Sequence, residues 1–274
     1  MTFRELLRSI ILEKKTILCV SIDPVLEKIR QRAATVYGQE DYSFLISKNV
    51  LVDFILDTVD KVRDYAAAVK INLWYVLPLD LRDLVYISNY ILSRGLVPIL
   101  DCKINDITDT VSIGLRWIYL SGFKCVTVNP LPGNLDKICK ICKEYNIGTL
   151  VLTLMSNPEA VKYFKTRVDN KHLYEIIAED VRLSDADGCV VGTTGHVTEE
   201  DIRNIRRIVG QERVLFLVGV GFQGGSIDKL RAALPGLVLV NVGRDIVYSE
   251  NPQERAREYR DRLWSIMSEY VQVL

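Results

Sequence analysis

The chain alternates short runs that are apolar at almost every position with longer segments whose apolar residues recur every three or four positions. The short runs cover 16–22, 67–71, 97–100, 124–128, 148–154, 188–191, 214–218 and 237–242. Between and after them, helical spacing predicts helices over 50–65, 79–93, 107–120, 135–145, 158–183, 198–208, 226–234 and 252–270. An amphipathic helix over about 2–14 precedes the first strand. Strands with no polar face, separated by helices, are what a parallel sheet covered on both sides requires. Eight such units in about 250 residues predict an α/β fold of the closed (β/α)8 TIM-barrel type in preference to an open doubly wound sheet. No linker or shift of composition divides the 274 residues, so one domain over 1–274 is expected. The stretch 30–49 is polar with interspersed aromatics and no clear period, and reads as a loop insertion that could carry a short helix.

One run ends abruptly in charge. After 97–100 come Asp101, Lys103 and Asp106, and the first two, two residues apart on a strand, point to the same side. Asp106 is expected to open the next helix. A lysine between two aspartates has its ammonium form favoured, which suits a proton donor and argues against a Schiff-base role. A structural ion-pair network is the plain alternative.

Barrel enzymes assemble their sites at the C-terminal ends of the strands. In this chain those ends carry Asp23, Lys70 with Asn72, the Asp101 cluster, Asn129, Ser156-Asn157-Pro158, Thr193-Thr194, the glycine-rich 219–225 and Gly243-Arg244. Taken singly, Asp23 before Pro24 could be a turn residue and Ser156-Asn157-Pro158 a helix cap. The seventh and eighth ends carry anion chemistry. Gly219, Gly221, Gly224 and Gly225 allow close backbone approach, Gln223 adds a donor, Ser226 opens a helix, and Gly243-Arg244 supplies a guanidinium. A phosphorylated small molecule is the expected ligand.

Composition narrows this further. The 35 basic and 35 acidic residues balance, so neither nucleic acid nor a membrane surface is an expected partner. With 49% hydrophobic and 26% charged residues and no apolar run long enough to cross a bilayer, a soluble, cytoplasmic protein is expected. Of the six cysteines, Cys139 and Cys142 form a CxxC within a helical pattern; the two histidines, His172 and His196, lack ligand spacing, so core packing is favoured over metal or redox use.

Several motifs, taken in order, resemble the orotidine 5'-monophosphate decarboxylase family over nearly the whole chain. They are Asp101-Cys-Lys103-Ile-Asn-Asp106-Ile107 followed by Thr110, Cys125-Val-Thr-Val-Asn-Pro130, Ser156-Asn-Pro, Gly221-Phe-Gln223-Gly-Gly and Val242-Gly-Arg244. The resemblance implies that Asp23 and Lys70 hold ribose hydroxyls and that Lys70, Asp101, Lys103 and Asp106 form a catalytic charge chain. It further implies that Ser156 meets the pyrimidine, that Gln223 and Arg244 bind the 5'-phosphate, and that Asp106, Ile107 and Thr110 enter the neighbouring site of a homodimer. The implied reaction turns orotidine 5'-monophosphate into uridine 5'-monophosphate and CO2, with no metal or organic cofactor. Relatives acting on keto-sugar phosphates with magnesium share the third-strand signature, but carry an acidic residue where this chain has Lys70. A non-catalytic nucleotide-binding homologue is the remaining alternative. The chain departs from the family pattern at Val218, Met155 and Leu73-Trp74-Tyr75.

Overall fold

The computed structural model describes residues 1–25, 28–29, 44–220 and 227–273. Eight parallel strands close into a barrel: β1 (Leu18–Ile22), β2 (Ala68–Asn72), β3 (Val97–Ile104), β4 (Cys125–Val128), β5 (Gly148–Leu154), β6 (Gly188–Gly192), β7 (Val214–Val218) and β8 (Val238–Val242). Each pairs with its neighbours in sequence, and β8 returns to β1 through Leu18↔Val240 and Val20↔Val242. Every residue of β1, β4, β5 and β6 is buried, because side chains on one face fill the barrel and those on the other meet the helices.

The helices are α1 (Phe3–Lys14), α2 (Phe44–Val62), α3 (Leu81–Ser93), α4 (Thr108–Leu120), α5 (Leu135–Glu144), α6 (Leu173–Leu183), α7 (Glu199–Val209) and α8 (Pro252–Met267). Reciprocal caps fix where α1, α3 and α7 begin: Thr2 with Glu5, Asp80 with Asp83, and Thr198 with Asp201. Cys139 and Cys142 are buried on α5 as core side chains, and burial pushes both thiols above their usual range.

Four expectations are corrected. The third strand is longer than the apolar run 97–100 and continues through Asp101 and Lys103 to Ile104. Helix α2 starts at Phe44, which takes 44–49 out of the expected insertion; 30–43 lies outside the described residues. The predicted helix over 158–183 is broken. A 3-10 turn (Pro158–Ala160), one α-turn (Val161–Phe164) and a hairpin of Arg167–Val168 with Lys171–His172 precede α6. Asp169 at φ 53° makes the hairpin's reversal, a conformation that a continuing helix excludes. Residues Ile227–Ala233 form a 3-10 helix, where 226–234 had been expected as α.

The barrel's N-terminal face is closed by α1. Arg4 pairs with Asp187 before β6 at 3.1 Å, Arg8 with Glu212 before β7 at 2.7 Å, and Lys14 donates to the carbonyls of Arg63 and Arg94, before β2 and β3. Arg206 of α7 is 6% exposed and donates to the carbonyls of Gly210, Arg213, Ala233 and Leu237 at 2.7–2.8 Å. Burial pushes its guanidinium down to about 10, still charged at neutral pH.

Removing that guanidinium strands buried acceptors. Arg206→Met should cost about 3 kcal/mol and lower the melting temperature by about 8 °C. A thermal melt with a shift under about 2 °C would show that the four carbonyls find other donors.

Candidate active site

Inward-facing positions toward the C-terminal ends of β1 to β4 carry Ser21, Lys70, Asp101 and Thr127, and all four are buried. Burying a carboxylate is costly unless donors surround it. Asp101 has three: Lys70 Nζ at 2.7 Å on Oδ2, with Lys103 Nζ and Thr127 Oγ1 each at 2.8 Å on Oδ1. Lys70 also lies 3.8 Å from Asp23 Oδ1. Burial opposes both charges, yet the two ammonium groups hold Asp101 well below the usual carboxylate range, and Asp101 with Asp23 holds Lys70 above the usual lysine range. Both groups therefore stay ionised across the physiological range.

Lys103 has φ 47°, a left-handed conformation costly for a residue with a side chain, and it stands where the β3–β4 pairing shifts register between Leu100 and Ile104. Its backbone N–H is held by Thr127 Oγ1 at 2.8 Å in place of a ladder partner. Because that hydroxyl accepts from Lys103, its own proton is directed to Asp101. One threonine thus fixes both the bulge and the carboxylate.

These groups form one wall of a cavity of about 460 Å³. Apolar side chains from β5 to β7, among them Leu152, Leu154, Val190 and Phe216, line its depth; Met155, Ser156, Val218, Gly243 and Arg244 stand nearer the rim. Among the described residues, two buried acceptors at the cavity have no hydrogen-bond partner: Asp23 Oδ1 and Asn241 Oδ1. Glycine is required at two places. A Cβ on Gly192 would lie 2.5 Å from Ser156 Cβ, and one on Gly243 would lie 2.3 Å from Ser21 Oγ. The small residues let the Ser156 and Arg244 loops close onto the barrel mouth.

Asp23, Lys70, Asp101, Lys103, Ser156, Gly243 and Arg244 all line this one cavity, as the strand-end reading expected. Asp106, Ile107 and Thr110 do not. They are exposed at the start of α4, where Ile107 is the N-cap and Asp106 Oδ1 accepts from Ile107 N, so Asp106 precedes the helix that it had been expected to open. Gly221, Gln223 and Ser226 lie outside the described residues. The bulky Leu73-Trp74-Tyr75 forms a 3-10 turn capped by Asn72, with Trp74 largely exposed. The sequence reading missed Thr127 and Asn241. Each is a polar residue within an otherwise apolar strand run, a signal available in the sequence.

Among the described residues, no three His, Cys, Asp or Glu side chains are grouped to hold a metal ion, and no helix is long and apolar enough to cross a membrane.

Residues 16–259 match the model of the orotidine 5'-phosphate decarboxylase / HUMPS family. The orotidine 5'-phosphate decarboxylase of Methanococcoides burtonii is 29% identical over 212 residues, covering 76% of this chain and 90% of that protein. Among solved structures, Leishmania donovani UMP synthase superimposes with a TM-score of 0.79 at 23% identity; the match covers 97% of this chain but 57% of that one. The Methanocaldococcus jannaschii orotidine 5'-monophosphate decarboxylase complexed with inhibitor BMP gives 0.70 at 24% identity, covering 90% and 97% of the two chains. The strand-end chemistry and the match along most of its length agree: the chain belongs to the orotidine 5'-phosphate decarboxylase / HUMPS family.

Proposed function

We propose that the protein is a metal- and cofactor-independent carboxy-lyase that converts orotidine 5'-monophosphate to uridine 5'-monophosphate and CO2. The observation that carries this reading is the buried Lys70–Asp101–Lys103 array on the wall of a cavity that has Arg244 at its rim. The ammonium groups of Lys70 and Lys103 together balance the Asp23 and Asp101 carboxylates, the role that a divalent ion would otherwise fill.

In this reading Arg244, with Gln223 and the backbone at Gly221 and Gly243, grips the 5'-phosphate. Asp23 and Lys70 hold ribose hydroxyls, and Ser156 meets the pyrimidine. The substrate carboxylate then faces Asp101. As the C6–carboxylate bond breaks, its electron pair stays on C6 and CO2 departs. Lys103 stabilises that pair and transfers a proton from Nζ to C6, and its neutral amine regains a proton from water. Repulsion between the carboxylate and Asp101 is relieved only as CO2 forms, so the array favours the transition state over the bound substrate. Phosphate contacts far from C6 supply the binding energy that holds the two carboxylates together.

A homodimer completes the site. Thr110, Ile113, Trp117 and Leu120 recur at helical spacing on one face of α4; the last three are 57%, 55% and 46% exposed, and Ile107 beside them is 66% exposed. An apolar stripe of this kind on a charged protein needs a cover. A second copy seated there would bring its Asp106, Ile107 and Thr110 to the neighbouring cavity.

Three outcomes are expected. In the presence of EDTA, the purified protein should bleach the ultraviolet absorbance of orotidine 5'-monophosphate, and Lys103→Ala should not, while still binding uridine 5'-monophosphate. Magnesium-dependent turnover of a sugar phosphate instead would favour the HUMPS branch, and nucleotide binding without turnover would favour a non-catalytic homologue. Thr127→Val, which keeps shape and loses the hydroxyl, should lower kcat roughly ten- to a hundredfold with little change in KM. Thr127→Ser should recover most of that loss; equal effects of the two would remove the hydroxyl from the account. Trp117→Glu should shift the sedimenting species from dimer to monomer and abolish turnover with it.

A further inference from the structure

Tyr248 follows the single α-turn Arg244–Val247 and is not among the residues that line the cavity. Its backbone N–H donates to Arg244 O at 3.1 Å, so it moves with the turn that carries the guanidinium. Its hydroxyl crosses the β8–β1 seam. It donates to Asp23 O at 2.8 Å and accepts from Val25 N at 2.7 Å, gripping the chain on both sides of Pro24, which has no N–H of its own. The ring is held as firmly as the hydroxyl: it stacks on Phe54 of α2 at 5.9 Å and 22°, with Lys28 Nζ 4.7 Å from its centroid. A half-buried tyrosine whose hydroxyl both donates and accepts is a rigid strut.

We infer that Tyr248 is a positioning residue that couples the 5'-phosphate grip of Arg244 to the ribose-binding Asp23, so that binding one part of the nucleotide sets the other. This rests on the nucleotide reading above. Asp23 Oδ1 is a buried acceptor without a hydrogen-bond partner, 3.8 Å from Lys70 Nζ, and the main chain that carries it is held by Tyr248. An anion on Arg244 restrains the 244–247 turn, and the strut passes that restraint to the Asp23 peptide. A phosphate-free nucleoside lacks the restraint and gains less from the strut.

Tyr248→Phe removes both hydrogen bonds and keeps the stacked ring. The test is calorimetric binding of uridine 5'-monophosphate and of uridine to the wild type, Tyr248→Phe, Arg244→Ala and the double variant, with steady-state turnover of orotidine 5'-monophosphate alongside. Tyr248→Phe should weaken nucleotide binding about tenfold, the size expected for two modest hydrogen bonds, and nucleoside binding by less than half as much. Turnover should show the loss mainly in KM, with kcat nearly kept. In the double variant the nucleotide loss should fall short of the product of the single losses, because each change removes the same coupling. Equal losses for nucleotide and nucleoside, multiplicative losses in the double variant, or a Tyr248→Phe protein that binds like the wild type would overturn the coupling while leaving the nucleotide reading intact. A wild type that binds neither ligand would overturn the nucleotide reading and the coupling with it.

Discussion

The structure turns on one carboxylate that has been taken out of water. Asp101 is 7% exposed, and an isolated charge at that depth would not be tolerated. It is tolerated because donors converge on it from three adjacent strands: Lys70 from β2, Lys103 from β3 and Thr127 from β4. That convergence requires the parallel register of β2 with β3, where Asn72 lies opposite Asp101, and the shift between β3 and β4 that turns Lys103 back toward it. The left-handed backbone at Lys103 is a local cost, set against the Thr127 hydrogen bond to its N–H and the ion pair of its ammonium with Asp101. Removing a donor would leave the charge under-solvated; removing the charge would leave two lysines facing each other.

Much of this was legible from residue order, for a simple reason. Strands buried on both faces contain almost nothing but apolar residues, so their ends are marked wherever a polar residue first appears. All eight barrel strands overlap the apolar runs, and Asp23, Lys70, Asp101, Ser156 and Arg244 were found as the residues that break or follow those runs. What stayed hidden depends on conformation. No local pattern announces that Lys103 adopts a positive φ, or that β3 extends through its charges to Ile104. The apolar spacing over 158–183 is helical in period, but a reversal at Asp169 interrupts it, and short polar stretches do not declare such turns. In the sequence Thr127 reads only as part of a strand, since its role follows from what lies across the sheet. Tyr248 is further still from sequence logic: its partners are 223 and 225 residues away.

The two ends of the barrel solve opposite problems. At the N-terminal end, α1 and Arg206 satisfy the carbonyls and carboxylates around the strand starts. Arg4 and Arg8 pair with Asp187 and Glu212 there, and the result is a closed floor. At the C-terminal end, Asp23 and Asn241 keep buried acceptors without hydrogen-bond partners, which a structure built for stability alone would avoid.

The order of strands around the ring also divides labour between its halves. The charge array comes from β1 to β4, whereas the apolar depth of the cavity, Ser156, Gly243 and Arg244 come from β5 to β8 and the loops that follow them. The two halves meet at the β8–β1 seam, where the Tyr248 hydroxyl ties the segment after β8 to the chain on both sides of Pro24. A change at that seam therefore reaches both halves of the cavity at once, while changes deep in β5 to β7 alter the apolar wall alone.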